Sequence, residues 1–220
     1  MRKTHIAAIL IVIGLVAFVA YAGWSRGGPN QFETAFNPGG TVTLDLSAGD
    51  FRVEGTADNK IRVETNYTDR GEVRCLMDVS GANAKVQIEG PNNNFHAIIY
   101  VPQRSDLNVD QTIGHLLVRN VVGNKNLGLD IGKMEIEIPK DAPLPNFDGG
   151  VIIGALHPNQ WHIEKGGFFR SFNSSSSSHY SIVAHLDIGD LSTLEGASQS
   201  QQTENPGHDM PEQNATHNAH

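Results

Sequence analysis

The sequence predicts an all-β chain and, within that class, a β-solenoid with coils of roughly 18–19 residues. Three observations carry the prediction. First, apolar residues alternate along short runs that meet at a glycine: Leu127, Leu129 and Ile131 lead to Gly132, and Met134, Ile136 and Ile138 follow it. Strand side chains alternate faces, so each run has one apolar and one polar face. Second, the pattern recurs. Gly114, Gly132 and Gly150 are evenly spaced, at the period of one such coil. Leu129-Asp130-Ile131-Gly132 returns as Leu186-Asp187-Ile188-Gly189, an offset of three times 19. A coil that thin cannot bury its own apolar face, whereas stacked coils make one continuous core. Third, beyond the N-terminus no stretch keeps apolar residues at helical spacing for three turns. A β-sandwich with glycine-rich hairpins shares this composition and is the alternative; only the constant offset favours coils.

The elements follow in order. Arg2 and Lys3 precede residues 6–23, which carry no charge. As a helix, eighteen residues would span about 27 Å against a hydrocarbon core of roughly 30 Å. The positive residues should stay in the cytoplasm, sending everything after Trp24 outward. A cleaved signal peptide is the competing reading, because Ala20-Tyr21-Ala22 is an A-x-A site. Both readings export the rest of the chain, and the choice stays open. Residues 1–26 are thus an anchor or signal, and the Gly/Pro-broken 27–40 a linker in which only Phe32 and Phe36 could dock.

The β domain is expected over 41–194. Val42, Leu44 and Leu46 alternate up to Gly49, Phe51 and Val53 continue beyond it, and Ile61 and Val63 form a short third strand. Ser80-Gly81-Ala82-Asn83 separates two alternating runs and reads as a hairpin turn. Ala97, Ile99 and Val101 form a strand stopped by Pro102, which has no N–H for a ladder. Leu107 and Val109 lead to Gly114, with Leu116 and Val118 after it. Ser174 to Ser178 read as a loop. Residues 195–220 lack apolar periodicity and basic residues, which predicts a disordered acidic tail.

Composition narrows the function classes. The net charge is −8. Arg2, Lys3 and Arg26 give the first segment +3, and Glu195, Glu204, Asp209 and Glu212 give the tail −4, which leaves an acidic body. A body without a basic stripe argues against nucleic acid as a partner. Cys75 is the sole cysteine, so no internal disulfide forms; it alternates with Val73, Met77 and Val79 and reads as a buried, inert thiol.

Ile99-Tyr100-Val101-Pro102, then Asp106-Leu107-Asn108-Val109, then the glycine-centred runs up to residue 138 resemble exported bacterial adhesin-type domains of unknown function, relatives of the auto-transporter adhesin head domain. The likeness covers 41–194. It implies a β-solenoid behind an N-terminal membrane helix and brings no catalytic residues. Residues 157–178 depart from the family's regular rungs.

No catalytic residue, cofactor site or metal site is assigned. Asp130, Glu135 and Glu137 are the carboxylates that a carbohydrate-active enzyme, a lyase or hydrolase, would use; alternation with Met134 and Ile136 instead makes both glutamates part of a solvated face. Asp50, Asp130, Asp148, Asp187 and Asp190 beside glycines lack the G-G-x-G-x-D pattern of calcium coils. His208, His217 and His220 lie in a tail with no preformed site. The densest aromatic cluster, Trp161, Phe168, Phe169 and Phe172, with His157 and His162 beside it, is the candidate binding face. Capping of the core is the competing role for the same rings. The expected function is a non-enzymatic adhesion, interaction or envelope-scaffold module. Its partners would be the membrane, through residues 6–23, and an envelope polysaccharide or protein. Its place would be the membrane with the domain in the periplasm or outside, or secretion after cleavage at Ala22.

Overall fold

The computed structural model describes residues 31–67, 72–91, 93–140 and 142–196. The anchor-or-signal segment and nearly all of the acidic tail lie outside them. Among the described residues no helix is long and apolar enough to cross a membrane.

These residues form one mixed all-β sheet: β1 (Gln31–Ala35), β2 (Thr41–Thr56), β3 (Lys60–Thr65), β4 (Arg74–Ser80), β5 (Asn83–Glu89), β6 (His96–Pro102), β7 (Asp106–Arg119), β8 (Lys125–Pro139), β9 (Asn146–His157), β10 (Lys165–Ser174) and β11 (Ser181–Gly196). A single 3₁₀ turn, Asn159–Trp161, interrupts them. The neighbour order is β1-β3-β6-β2-β7-β8-β11-β9-β10, with the hairpin β4–β5 attached to β2. β2, β7, β8, β11 and β9 pair in parallel, and the outer pairs β1–β3, β3–β6, β4–β5 and β9–β10 are antiparallel. The hairpin turn falls where its composition predicts, Ser80 facing Asn83 across Gly81-Ala82.

The long strands turn a corner at a glycine. Gly49, Gly114, Gly132, Gly189 and Gly154 stand in register across the five parallel strands. Their φ angles lie between +127° and +154°, open to glycine and costly for L side chains. Space makes the same demand, because a Cβ on Gly132 would be driven into the carbonyl oxygen of Gly114. The corner also shifts the alternation by one residue. Leu46 and Phe51, Gln111 and Leu116, Leu129 and Met134, and Leu186 and Leu191 are all buried, although each pair is separated by an odd step. Both arms of each bent strand therefore feed one core, in which Val42, Leu44, Leu107, Leu116, Val118, Met134, Ile136 and Leu191 have at most 1% exposure.

Four expectations change. Ile131, assigned inward by alternation, is 44% exposed, because the chain is already turning toward Gly132. Gly150 is not a corner: it faces His185 and Ser171, and Gly154 takes the place in the glycine row. The two tetrapeptide copies are not three coils apart but immediate neighbours, Leu129 beside Leu186 and Gly132 beside Gly189. β9 and β10 leave and return between them, and parallel pairing sets no limit on what the connection contains. Finally, part of the expected linker is structured. β1 forms there, Phe36 is 3% exposed, and Phe32 packs against the core.

The strand starts are tied by side chains. Asn124 donates its backbone N–H to Asp106 Oδ1 (2.8 Å), Ser181 donates its own to Asn124 Oδ1 (3.0 Å), and Ser176 donates to Asn146 Oδ1 (2.8 Å). These bonds satisfy backbone donors at points where the ladder has not yet begun. They also give the serine loop fixed partners, including Asn146 Nδ2 to the Ser178 carbonyl at 3.2 Å.

Candidate binding face

The four aromatic residues singled out in the sequence do not form one face. β10 is the last strand of the sheet and pairs antiparallel with β9, Gly167 opposite Gly154 and Phe168 opposite Ile153. Phe172 is opposite Gly149, where the missing side chain leaves room for a ring. Phe147, Trp161 and Phe172 fill that region: Phe147 lies 5.1 Å from Trp161 and 6.1 Å from Phe172, and Trp161 meets Phe172 edge-on at 5.6 Å. Phe147 is 2% exposed, and the other two pack on the core from outside. Trp161 and Phe172 therefore close the end of the core. Phe147 was missed because its neighbours Gly149 and Gly150 imitate a corner.

Phe168 and Phe169 do the opposite, with 65% and 80% exposure. Phe169 has φ +52°, a left-handed conformation that costs a non-glycine residue energy. Gly167 at φ +114° sits two residues before it. The two bends swing both rings off the sheet, beside Ile152 and Ile153, which are 43% and 40% exposed. Two cations fold back on the same strand: Lys165 Nζ donates to the Ser171 carbonyl and Arg170 Nε to the Gly166 carbonyl, both at 2.7 Å. Such capping guards an edge strand against indiscriminate pairing. His157 Nδ1 lies 3.7 Å from Glu164, and His162 takes a left-handed turn after Trp161.

The two glutamates are not a solvated face, whereas Asp130 is exposed. Glu137 is 9% exposed, and its Oε2 accepts a hydrogen bond from Arg119 Nε at 2.6 Å. Glu135 Oε2 is 2.6 Å from His115 Nε2, and Oε1 is 2.7 Å from Lys133 Nζ. Burial raises the Glu135 carboxyl, but the hydrogen bonds from Lys133 and His115 outweigh it and the net shift is downward. Asp130 stands on the other arm, across the glycine corner. Each glutamate is committed to a cation on its own or the neighbouring strand. Among the described residues no three His, Cys, Asp or Glu side chains are grouped so as to hold a metal ion.

Two buried groups complete the chemistry. Lys125 is 3% exposed, donates Nζ to the Gly123 carbonyl at 2.9 Å and lies 5.2 Å from the Tyr180 ring centroid. Burial lowers its pKa to about 8, against a smaller opposing pull from Asp106. Cys75 is half-buried with Met77 on the core side of β4, and burial pushes its thiol up to about 12, so thiolate chemistry at neutral pH is suppressed.

No protein-family model matches the chain, and no curated protein matches it. Solved structures do. A putative cell adhesion protein from Clostridium sporogenes is 13% identical, with a TM-score of 0.45, over 76% of this chain and 99% of that one. Putative adhesins from Parabacteroides merdae and Bacteroides fragilis are 9% and 8% identical, each with a TM-score of 0.24. They cover 78% and 74% of this chain and 98% and 96% of their own. At such identities and TM-scores, neither the details of the fold nor any activity passes from them to this chain.

Proposed function

We propose that this chain is an exported, membrane-anchored β-solenoid acting as a non-enzymatic adhesion, interaction or cell-envelope scaffold module. The observation that carries the reading is the exposed pair Phe168 and Phe169 on the terminal strand of the sheet. Rings this open lose nothing in the free domain when truncated, yet buried aromatic contact carries much of the energy of an interface. The coil reading is supported by β7 and β8, which pair in parallel with Leu107 beside Lys125, one period on, after a return of only residues 120–124. A return that short needs the end of a bent strand to lie near its own beginning. Commitment of Glu135 and Glu137 to Lys133, His115 and Arg119 weighs against the carbohydrate-active alternative, which needs a free acid and base. The uncharged run 6–23 behind Arg2 and Lys3 supports the anchor, with envelope polysaccharide or protein as the partner class.

The test uses the full chain, with Phe169→Ala and, on the distant strand β4, the exposed Asp78→Asn as the paired variants. Binding to isolated envelope fractions is expected to fall about tenfold or more for Phe169→Ala with an unchanged melting curve, and to stay the same for Asp78→Asn. Equal binding by wild type and Phe169→Ala would remove the proposed face. A reporter enzyme fused after Arg26 is expected to be active outside the cytoplasm; activity confined to the cytoplasm would end the export reading.

A further inference from the structure

One row of the sheet departs from the rule that outward positions are polar. The residue before each corner glycine stands in register across five strands, Ala48 beside Ile113, Ile113 beside Ile131, Ile131 beside Ile188 and Ile188 beside Ile153, and Phe168, which follows Gly167 on the antiparallel β10, extends the row beside Ile153. Ile113, Ile131, Ile188 and Ile153 are 46%, 44%, 44% and 40% exposed, and Phe168 65%. At ~4.8 Å per strand the row is about 24 Å long. Scattered surface isoleucines need no explanation, but a contiguous line of them marks a surface that is covered in use. Polar rows flank it over the central strands: Thr112, Asp130 and Asp187 on one side and, beyond the corner glycines, His115, Lys133 and Asp190 on the other.

We propose that this row is the face through which a second copy of the chain docks, with the strand order of the two copies reversed. Size favours that occupant, while the charges flanking the row offset one another. The row runs from a small end, Ala48, to a bulky end, Phe168, and reversal sets each bulky end over the other copy's small end. It brings Ile113 to Ile153 and Ile131 to Ile188. The bulk added by Phe169 and Ile152 then falls opposite Ser47 and Thr112. Reversal also sets Lys133 opposite Asp190 of the second copy, twice by symmetry, as a two-fold contact requires. It sets Asp130 opposite Asp187 as well, a like-charge contact that holds the affinity down. The pairing covers Phe168 and Phe169, the rings on which the adhesion reading rests, but cross-linking reads it without any envelope ligand, so either reading can fail alone.

The test is site-specific cross-linking of the full chain in a Cys75→Ala background. Two differently tagged copies are expressed together, one carrying Ala48→Cys and the other Phe168→Cys, and membranes are oxidised. Reversed order predicts a mixed disulfide-linked dimer with neither copy linking to itself, since like ends lie about 24 Å apart. Self-linked Ala48→Cys would show the copies paired in the same order, and overturns the proposal. So does a monomeric mass in mild detergent without any cross-link. Two further variants guard against a dimer made elsewhere, by residues 6–23 for example. Ile131→Ser with Ile188→Ser is expected to weaken association about tenfold at an unchanged melting temperature, and Asp130→Asn to strengthen it severalfold. Association indifferent to both would overturn the proposal even if the chain were dimeric.

Discussion

The middle of the sheet and its β9–β10 end are built from similar residues but obey different rules. Across β2, β7, β8 and β11 the inward positions repeat from strand to strand, as in Phe51, Leu116, Met134 and Leu191, and every corner is a glycine. Each strand there is buried by copies of itself. At the β9–β10 end no further copy follows, so the core is closed by Phe147, Trp161 and Phe172 instead. β10 runs antiparallel, and the two residues that do not help the closure, Phe168 and Phe169, point outward. A repetitive core is stabilised by neighbours of equal shape, whereas its end needs an irregular plug, and the irregularity frees side chains for other work.

This contrast can be broken most severely in the middle. Ile136 is fully buried, so Ile136→Asp would bury an unpaired charge and is expected to abolish cooperative thermal unfolding. Gly132→Ala is expected to cost several kcal/mol (roughly 3 or more), because it adds a positive-φ penalty to a collision with the Gly114 backbone. A variant at either position that melted like wild type would show the row to be free to shift.

The end is predicted to be softer and divided. Trp161→Ala and Phe172→Ala should each cost about 2–3 kcal/mol in denaturant unfolding, as half-buried rings in contact with Phe147. Phe169→Ala, with its ring 80% exposed, should stay within about 0.5 kcal/mol of wild type. Equal losses at Phe169 and Trp161 would erase the distinction between plug and face.

A pH dependence sharpens the comparison at Lys125, the one cation in the inward row that also holds Val42, Leu107, Ile182 and Phe147. Its folded pKa, about 8, lies below the value of 10.5 it has when solvated. Between these values the unfolded chain binds more protons, so stability rises with pH over that window. Cys75, whose thiol is raised from 9.0 to about 12, works against this above pH 9, because its unfolded state ionises first. In Cys75→Ala the melting temperature should therefore climb from pH 8 to about 10, and Lys125→Met should flatten that climb while raising stability at pH 7. A flat profile in Cys75→Ala alone would mean that Lys125 is solvated.

Much of this organisation was legible from residue order, and the parts that were not share a cause. Alternation located β2, β3, β6, β7 and β8, and the Ser80–Asn83 turn, because side-chain direction and turn chemistry are local. The Leu-Asp-Ile-Gly repeat also marked a true relation, since its two copies lie side by side on paired strands. Which strands touch was not local, and equal spacing suggested three coils where a β9–β10 excursion intervenes. Glu137 shows the same limit: period-two reasoning put it in solvent, but Arg119 from the next strand and Gly196 beyond it cover it.

By itself the sequence determined the class, four of the five corner glycines, most of the inward positions and the aromatic richness of 161–172, all properties of a strand and its immediate neighbours in the chain. Tertiary structure alone decided that β11 lies between β8 and β9, that Ile113, Ile131 and Ile188 line up outside, and that Trp161 and Phe172 close the core while Phe168 and Phe169 leave it. Those outcomes depend on contacts between strands far apart in the chain. Burial is a property of what lies across a side chain, and no period along one strand encodes it.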